Sequence, residues 1–257
     1  MHRRIKVLKN QYEGIPFLIL SFPRCGRTWM KHLLGHYIAK HFDVEFTKWV
    51  DRPRSGIPRI LFRHDFMSTT GHLPWDEYFK IQDNKQFIFT KEMQKQDIIY
   101  LYRNPLDVLF SYWPYLQSVP YKNFTPPKHN DIMSFANDKQ WGLDIVINFM
   151  NLQLDHCEKH TRNKIKLRYE DLKKSDREWK KLIEFIFGDY NKEAYQHAKQ
   201  ETTFAKMQQK NKPDLPSELK FYRRGGSNYI NELPEEQQQI LLNWPGLQDL
   251  NKRINEN

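Results

Sequence analysis

Three short stretches carry residue types that can hold an anion, and each stands where an apolar run gives way to a turn. The first is Ser-Phe-Pro-Arg-Cys-Gly-Arg-Thr-Trp at 21–29, directly after Phe-Leu-Ile-Leu. Gly26 lets the backbone approach an anion, and Thr28 offers a hydroxyl in the first helical turn. Arg24 and Arg27 add fixed positive charge with several donors each. Beyond a parallel strand, the helix N-terminus contributes its own N–H groups. The chemistry is that of a phosphate or sulfate cradle. A capped helix start with solvent-facing arginines uses the same residue types, so the loop alone does not decide. It is not the Gly-x-x-x-x-Gly-Lys-Ser/Thr loop of nucleotide hydrolases, since Ser stands at 21 and Arg at 27. ATP or GTP hydrolysis is therefore disfavoured.

The second stretch, Tyr-Arg-Asn-Pro-Leu-Asp-Val-Leu-Phe-Ser-Tyr-Trp, puts Arg103 at a strand end and Ser111 eight residues later on the following helix. Both can reach one anion at the carboxyl edge of a sheet. The third, Phe-Tyr-Arg-Arg-Gly-Gly-Ser-Asn-Tyr at 221–229, offers Arg223, Arg224 and Gly225 in a basic segment.

The elements that must position these groups follow from periodicity. Short apolar runs at 15–20, 58–64, 98–102 and 164–172 suit strands. Trp29, Met30, Leu33, Leu34, Tyr37 and Ile38 recur at helical spacing after the first loop, and Val108, Leu109 and Tyr112 after the second. Pro105 suits a first helical turn, and Pro114 is expected to end that helix. Further helices are expected over 141–160, 176–187 and about 234–244. The stretch 114–140 reads as a long surface excursion. Strands alternating with helices imply an α/β fold, three-layer α/β/α with a central mostly parallel sheet, in one domain over 1–257.

Lys plus Arg number 41 against 31 Asp plus Glu, a formal charge of +10. That fits either a solvated lysine-rich surface or an anionic partner. The critical arginines fall at strand-end turns, which suits a compact ligand better than nucleic acid, whose binders carry basic stripes with interleaved aromatics. Two cysteines, Cys25 and Cys157, exclude a disulfide framework and a cysteine-only zinc set. His32 and His36 stand at i and i+4 without a third ligand, so no metal is expected. The apolar run after the charged N-terminus is too short for a signal or a membrane span. The reading is of a cytoplasmic protein with no transmembrane segment.

Taken together, the three stretches resemble the sulfotransferase family, whose members use 3′-phosphoadenosine 5′-phosphosulfate (PAPS) and release adenosine 3′,5′-bisphosphate (PAP). The first is similar to that family's 5′-phosphosulfate loop and the second to its 3′-phosphate motif. The third is similar to the Arg-Lys-Gly element that closes over the 3′-phosphate. Leu-Arg-Tyr-Glu-Asp-Leu at 167–172 and Thr-Thr-Phe-Ala-Lys-Met at 202–207 match stretches beside the adenine. The resemblance spans 17 to about 235 and implies a P-loop-like fold. It implies PAPS contacts from Arg24, Cys25, Gly26, Arg27, Thr28, Trp29, Arg103, Ser111, Tyr169, Thr202, Phe204, Arg223, Arg224 and Gly225. Core packing competes for Trp29, Tyr169, Thr202 and Phe204. Arg24 takes the place usually held by a catalytic Lys, beside the bond that breaks. Cys25 serves as a small loop residue presenting its N–H.

The resemblance also implies a histidine base after a strand between the phosphate motifs. His64 in Ile-Leu-Phe-Arg-His-Asp-Phe is the first candidate and His72 the rival, while a carboxylate would be Asp65 or Glu92. The family's usual Lys before that histidine is Phe62 here. The implied reaction is in-line sulfuryl transfer to a hydroxyl or amine of a small-molecule, glycan or lipid acceptor. Trp49, Trp75, Tyr78, Trp113 and Tyr115 are candidates for an apolar or sugar-stacking acceptor pocket, with core packing as the competing role. The alternatives are a P-loop-like phosphotransferase and a basic nucleic-acid-binding protein. A homodimer is left open.

Overall fold

The computed structural model of the chain describes residues 16–63, 95–118, 128–209 and 228–256. Strands β1 (Phe17–Leu20), β2 (Ile60–Arg63), β3 (Ile98–Tyr102) and β4 (Lys164–Arg168) form a parallel sheet in the order β2-β1-β3-β4. Every residue of β1 and β3 is buried. Both faces of the sheet centre are covered, which is why these strands are unbroken apolar runs rather than alternating ones. The outer strands β2 and β4 keep partly exposed residues.

From β1 the chain passes through α1 (Arg27–Phe42) outward to β2. From β3 it passes through α2 (Pro105–Ser118), α3 (Ile132–Ala136) and α4 (Leu143–Lys159) outward to β4 on the opposite side. The carboxyl ends of β1 and β3 are thus neighbours whose connections diverge, and that divergence opens a crevice beyond the sheet. The register aligns Leu20 with Tyr100 and Tyr102 with Arg168. The loops that begin at Ser21, Arg103 and Tyr169 therefore rise side by side.

The helices that frame this edge have local causes. α1 buries Met30, Leu33, Leu34, Tyr37 and Ile38, the stripe its sequence shows. Gly35 is where the chain returns along α1: a Cβ there would meet the Thr47 carbonyl oxygen at 2.3 Å. Phe46 stacks on His36 with centroids 4.0 Å apart, so this histidine packs against a ring. At the start of α2 the Asn104 side chain accepts from the N–H groups of Leu106 and Asp107 at 2.9 and 3.2 Å, and Pro105 follows as the first helical residue.

Three expectations need correction. Pro114 does not end α2, which runs on to Ser118. Tyr112 and Leu116 are buried on either side of it, and this packing outweighs the roughly 3 kcal/mol that an interior proline costs. The run 164–172 is not one strand: it turns helical at α5 (Tyr169–Lys174), where Glu170 and Asp171 fall in a favourable first turn. The excursion 114–140 is not purely surface. Its α3 is capped by Asp131, which accepts from the Ser134 N–H at 2.8 Å, and it buries Ile132, Phe135 and Ala136, with Trp141 close behind. Beyond α6 (Asp176–Phe187), the helices α7 (Lys192–Glu201) and α8 (Phe204–Gln209) had no sequence expectation. A 3-10 turn (Tyr229–Glu232) and α9 (Glu235–Leu242) follow, then α10 (Leu247–Asn255), also unexpected.

One core contact has a pH signature. His156, 4% exposed near the end of α4, places Nδ1 2.5 Å from the Tyr100 hydroxyl, with which it shares a hydrogen bond. Burial, reinforced by His160 and Lys164, holds His156 down at about 3. An unfolded histidine titrates near 6.5, so on acidification the unfolded chain takes up this proton first. Stability is therefore lost as pH falls from about 6.5 toward about 3, with a limiting slope of about 1.4 kcal/mol per pH unit. Urea unfolding between about pH 7 and about pH 4 should show this loss, and His156→Gln should flatten it. Equal slopes in both proteins would contradict the assignment.

Candidate active site

The crevice is a cavity of about 860 Å³. Arg24, Gly26, Arg27, Thr28 and Trp29 line it from the first loop, and Arg103 and Ser111 from the second. Tyr169, Thr202 and Phe204 line it from the C-terminal helices. Ten of the expected positions thus surround one space. Cys25 is fully buried and does not line it; burial pushes its thiol up to about 12, so it has no nucleophilic character. Arg223, Arg224, Gly225, His64, His72, Asp65 and Glu92 lie outside the described residues, as do Trp75 and Tyr78. The described part of β2 runs to Arg63.

The loop has an unusual backbone. Arg24 adopts φ 70° and Gly26 φ 90°, both left-handed. For glycine this costs little, whereas for arginine it costs about 1 kcal/mol or more. Two contacts hold Arg24 there. Its carbonyl accepts from Arg103 Nη1 at 2.8 Å, and its own Nε donates to Ser111 Oγ at 3.1 Å. Its guanidinium also lies 4.9 Å from the Tyr115 ring centroid. The two arginine-bearing loops are thereby tied to each other.

Gly26 is needed for space as well as for φ. A Cβ there would come within 2.3 Å of Tyr169 Cδ2. The Tyr169 ring in turn packs edge-on against Trp29 and beneath the Arg103 guanidinium at 4.9 Å. Trp29 is half-buried, donates Nε1–H to the Thr202 carbonyl at 3.1 Å and abuts Trp179. It is both packing and cavity wall. Thr202 acts through that carbonyl, since its hydroxyl donates to the Ala198 carbonyl within α7. Phe204 is 40% exposed and lines the cavity mouth.

The electrostatics favour an anion. Arg24, Arg27, Arg103, Lys173 and Lys199 all line the cavity. Burial and the Arg103 charge hold the Lys173 ammonium below its ordinary value. Gly26 supplies no capping side chain to α1, so a ligand can take the cap's place at the helix N-terminus. Trp113 and Tyr115 line the cavity as expected, joined by Phe110, Pro114, Ile132 and Leu233. Trp49 does not; it stands on the flank of α1.

Sequence reasoning missed the residues that brace this arrangement. Asp107 is 3% exposed and accepts from the N–H groups of Asn228 and Tyr229 at 2.8 and 3.3 Å, fastening the 3-10 turn that carries Tyr229, Glu232 and Leu233 to the cavity. Burial pushes this carboxyl up, with Arg103 opposing. Glu170 accepts from the Asn104 N–H at 2.8 Å. The available signal was an acidic residue in the first turn of a helix that directly follows a strand.

A parallel sheet with a cationic, left-handed strand-to-helix loop at its switch point defines an α/β anion-binding protein. Residues 15–246 match the family model described as the sulfotransferase domain, and the chain belongs to that family. The solved structures of similar fold include the mouse sulfotransferase SULT7A1 complexed with PAP. It is 16% identical with a TM-score of 0.61, over 99% of this chain and 90% of that one. Retinol dehydratase in complex with androsterone and inactive cofactor PAP is 15% identical with a TM-score of 0.58, over 100% and 86% of the two chains. No curated protein sequence matches this chain. Among the described residues no helix is long and apolar enough to cross a membrane.

The Gly26 contact gives a controlled test. Gly188 also has a left-handed φ of 76°, but a Cβ there meets nothing within 4 Å. Gly188→Ala should cost only the conformational penalty, about 1–2 kcal/mol. Gly26→Ala should cost about 1–3 kcal/mol more in urea unfolding, because Tyr169 must move. Equal losses would show that the Tyr169 ring yields freely.

Proposed function

We propose that the chain transfers a sulfuryl group from PAPS to a hydroxyl, with Arg24 beside the bond that breaks and His64 as the base. The carrying observation is the gathering of ten motif positions around one cavity, with two separate arginine-bearing loops at its floor. The residue set suits PAPS. Arg103 and Ser111 stand together for one phosphate, Gly26, Arg27 and Thr28 for another, and Trp29, Tyr169 and Phe204 offer ring surfaces for a base.

PAPS, when bound, supplies the sulfuryl group and a phosphate leaving group. The chain's contribution is positioning and charge. Arg24 stabilises negative charge developing on the departing oxygen through a planar fork that can grip two oxygens. It stays protonated throughout, so it acts as a charge and not as an acid. His64 takes the acceptor proton as the new O–S bond forms and the old one breaks, without a covalent enzyme intermediate. Ser111 already accepts from Arg24, so it can hand the guanidinium over as the site fills. Arg223, Arg224 and Gly225 complete the grip on the 3′-phosphate in this reading.

Calorimetry with PAP and turnover with PAPS separate the roles. Arg103→Ala should weaken PAP binding by roughly 10- to 100-fold, through a lost charge-assisted contact and a loosened Arg24 backbone. His64→Ala should leave PAP affinity nearly unchanged and lower turnover by roughly 10²- to 10⁴-fold. Near-normal turnover in His64→Ala would remove it as the base and direct attention to His72. A chain that ignores PAP and PAPS but turns over ATP with Mg²⁺ would be a phosphotransferase instead.

A further inference from the structure

On the flank of α1, outside the cavity, three cations gather around one exposed indole. Trp49 is 45% exposed. Lys31 Nζ, Lys48 Nζ and Arg52 Cζ lie 6.0, 5.3 and 5.6 Å from its ring centroid. Among the described residues, none of the three has a carboxylate within ion-pair distance. Each cation–π contact at an exposed site is weakly favourable, while like charges gathered on one ring repel one another. An anion placed among them relieves that repulsion.

The patch is built, not a loose tail. Gly35 admits the Thr47 carbonyl against α1, and Phe46 stacks on His36. The Trp49 N–H donates to Thr47 Oγ1 at 3.1 Å, Arg54 Nη1 to the Glu45 carbonyl at 3.0 Å, and Arg59 Nε to the Asp51 carbonyl at 2.8 Å. These contacts hold the indole at a fixed place beside the helix.

The patch also leads to the cavity. Arg27, which lines it, and Lys31 are four residues apart on α1, one turn along the same face. Lys31 Nζ stands 5.0 Å from the Phe62 ring near the carboxyl end of β2, the sheet edge at which the cavity opens. Burial, then Arg27 and Lys48, hold the Lys31 ammonium below its ordinary value, with Asp51 pulling the other way. A positive track thus runs from the cavity wall along α1 to Trp49.

We propose that this track is the distal part of the acceptor site and that the acceptor is an acidic carbohydrate chain. A sugar ring stacks on Trp49, its carboxylate or sulfate groups meet Lys31, Lys48 and Arg52, and a hydroxyl further along reaches the cavity. The proposal rests on the cavity being the donor site. An indole with flanking cations matches a ring that has an apolar face and anionic substituents. A nucleic-acid strand would call for successive stacking rings along the track, whereas Phe46 is already stacked on His36.

The test is calorimetric binding of a hyaluronan oligosaccharide to the full chain without donor, against a neutral dextran oligosaccharide of equal length. The acidic oligosaccharide should bind, weaken steeply with added salt, and lose at least roughly 10-fold in affinity in Trp49→Ala and in the double variant Lys48→Gln/Arg52→Gln. All three side chains are exposed, so unchanged thermal melting will show that the variants fold. PAP affinity should stay at the wild-type value in both variants, since none of these residues lines the cavity. PAP titrated into the wild-type chain reads the donor assignment separately, so a failure there is distinct from a failure here. Equal binding of acidic and neutral oligosaccharides, undiminished binding in both variants, or tighter binding of a single-stranded oligonucleotide would each overturn the proposal.

Discussion

The hydrogen bond from the Arg103 guanidinium to the Arg24 carbonyl is the contact on which the site depends. A non-glycine residue resists the left-handed backbone that Arg24 adopts. A buried cation from the adjacent strand end supplies the acceptor's partner and holds the turn in place. Because Arg103 is 7% exposed and lies over the Tyr169 ring, its charge is fixed in direction as well as in position. The helix N-terminus, the two loops and the aromatic floor then face one space. Substituting this residue would alter shape and charge together.

The sheet order makes that contact available. Only where neighbouring parallel strands send their connections apart does the edge stay open, and β1 and β3 are such neighbours. The register brings Arg103 level with the residue after β4, which is Tyr169. Positive charge collects at this edge at an electrostatic cost in the ligand-free protein, partly offset by the buried Asp107 and the half-buried Glu170. The excess of basic residues in the chain is therefore used locally, first at the cavity and again along α1.

Most of this was readable from residue order. The four strands, the α1 stripe and the two anion loops follow from periodicity and from the placing of Gly, Pro and Arg. Eight of the ten cavity positions follow strands β1, β3 and β4, and a parallel sheet of this order brings those strand ends together; Thr202 and Phe204 arrive from the helices beyond β4. What escaped was long-range or context-bound. Pro114 reads as a terminator until the burial of Tyr112 and Leu116 is known. Tyr169 reads as strand because its β-forming side chain outweighs, in a local window, the acidic pair that starts a helix. Asp107 gives no local sign of its role, since its partners lie 121 and 122 residues away. Trp49 was open to a pocket or a core role, and only the path of the chain past Gly35 places it on the outer flank.

That Asp107 clasp has a consequence for how the molecule is made. The wall formed by Tyr229, Glu232 and Leu233 is attached across more than a hundred residues of intervening chain. Such a closure carries a large loop entropy and comes late in folding. On the ribosome, the sheet and both arginine loops can assemble while that wall is still unsynthesised. A nascent chain would have its anion cradle before it has an enclosed cavity, and a polyanion in solution would meet an open, strongly basic groove. Ligand competence is in this sense a late event of biosynthesis.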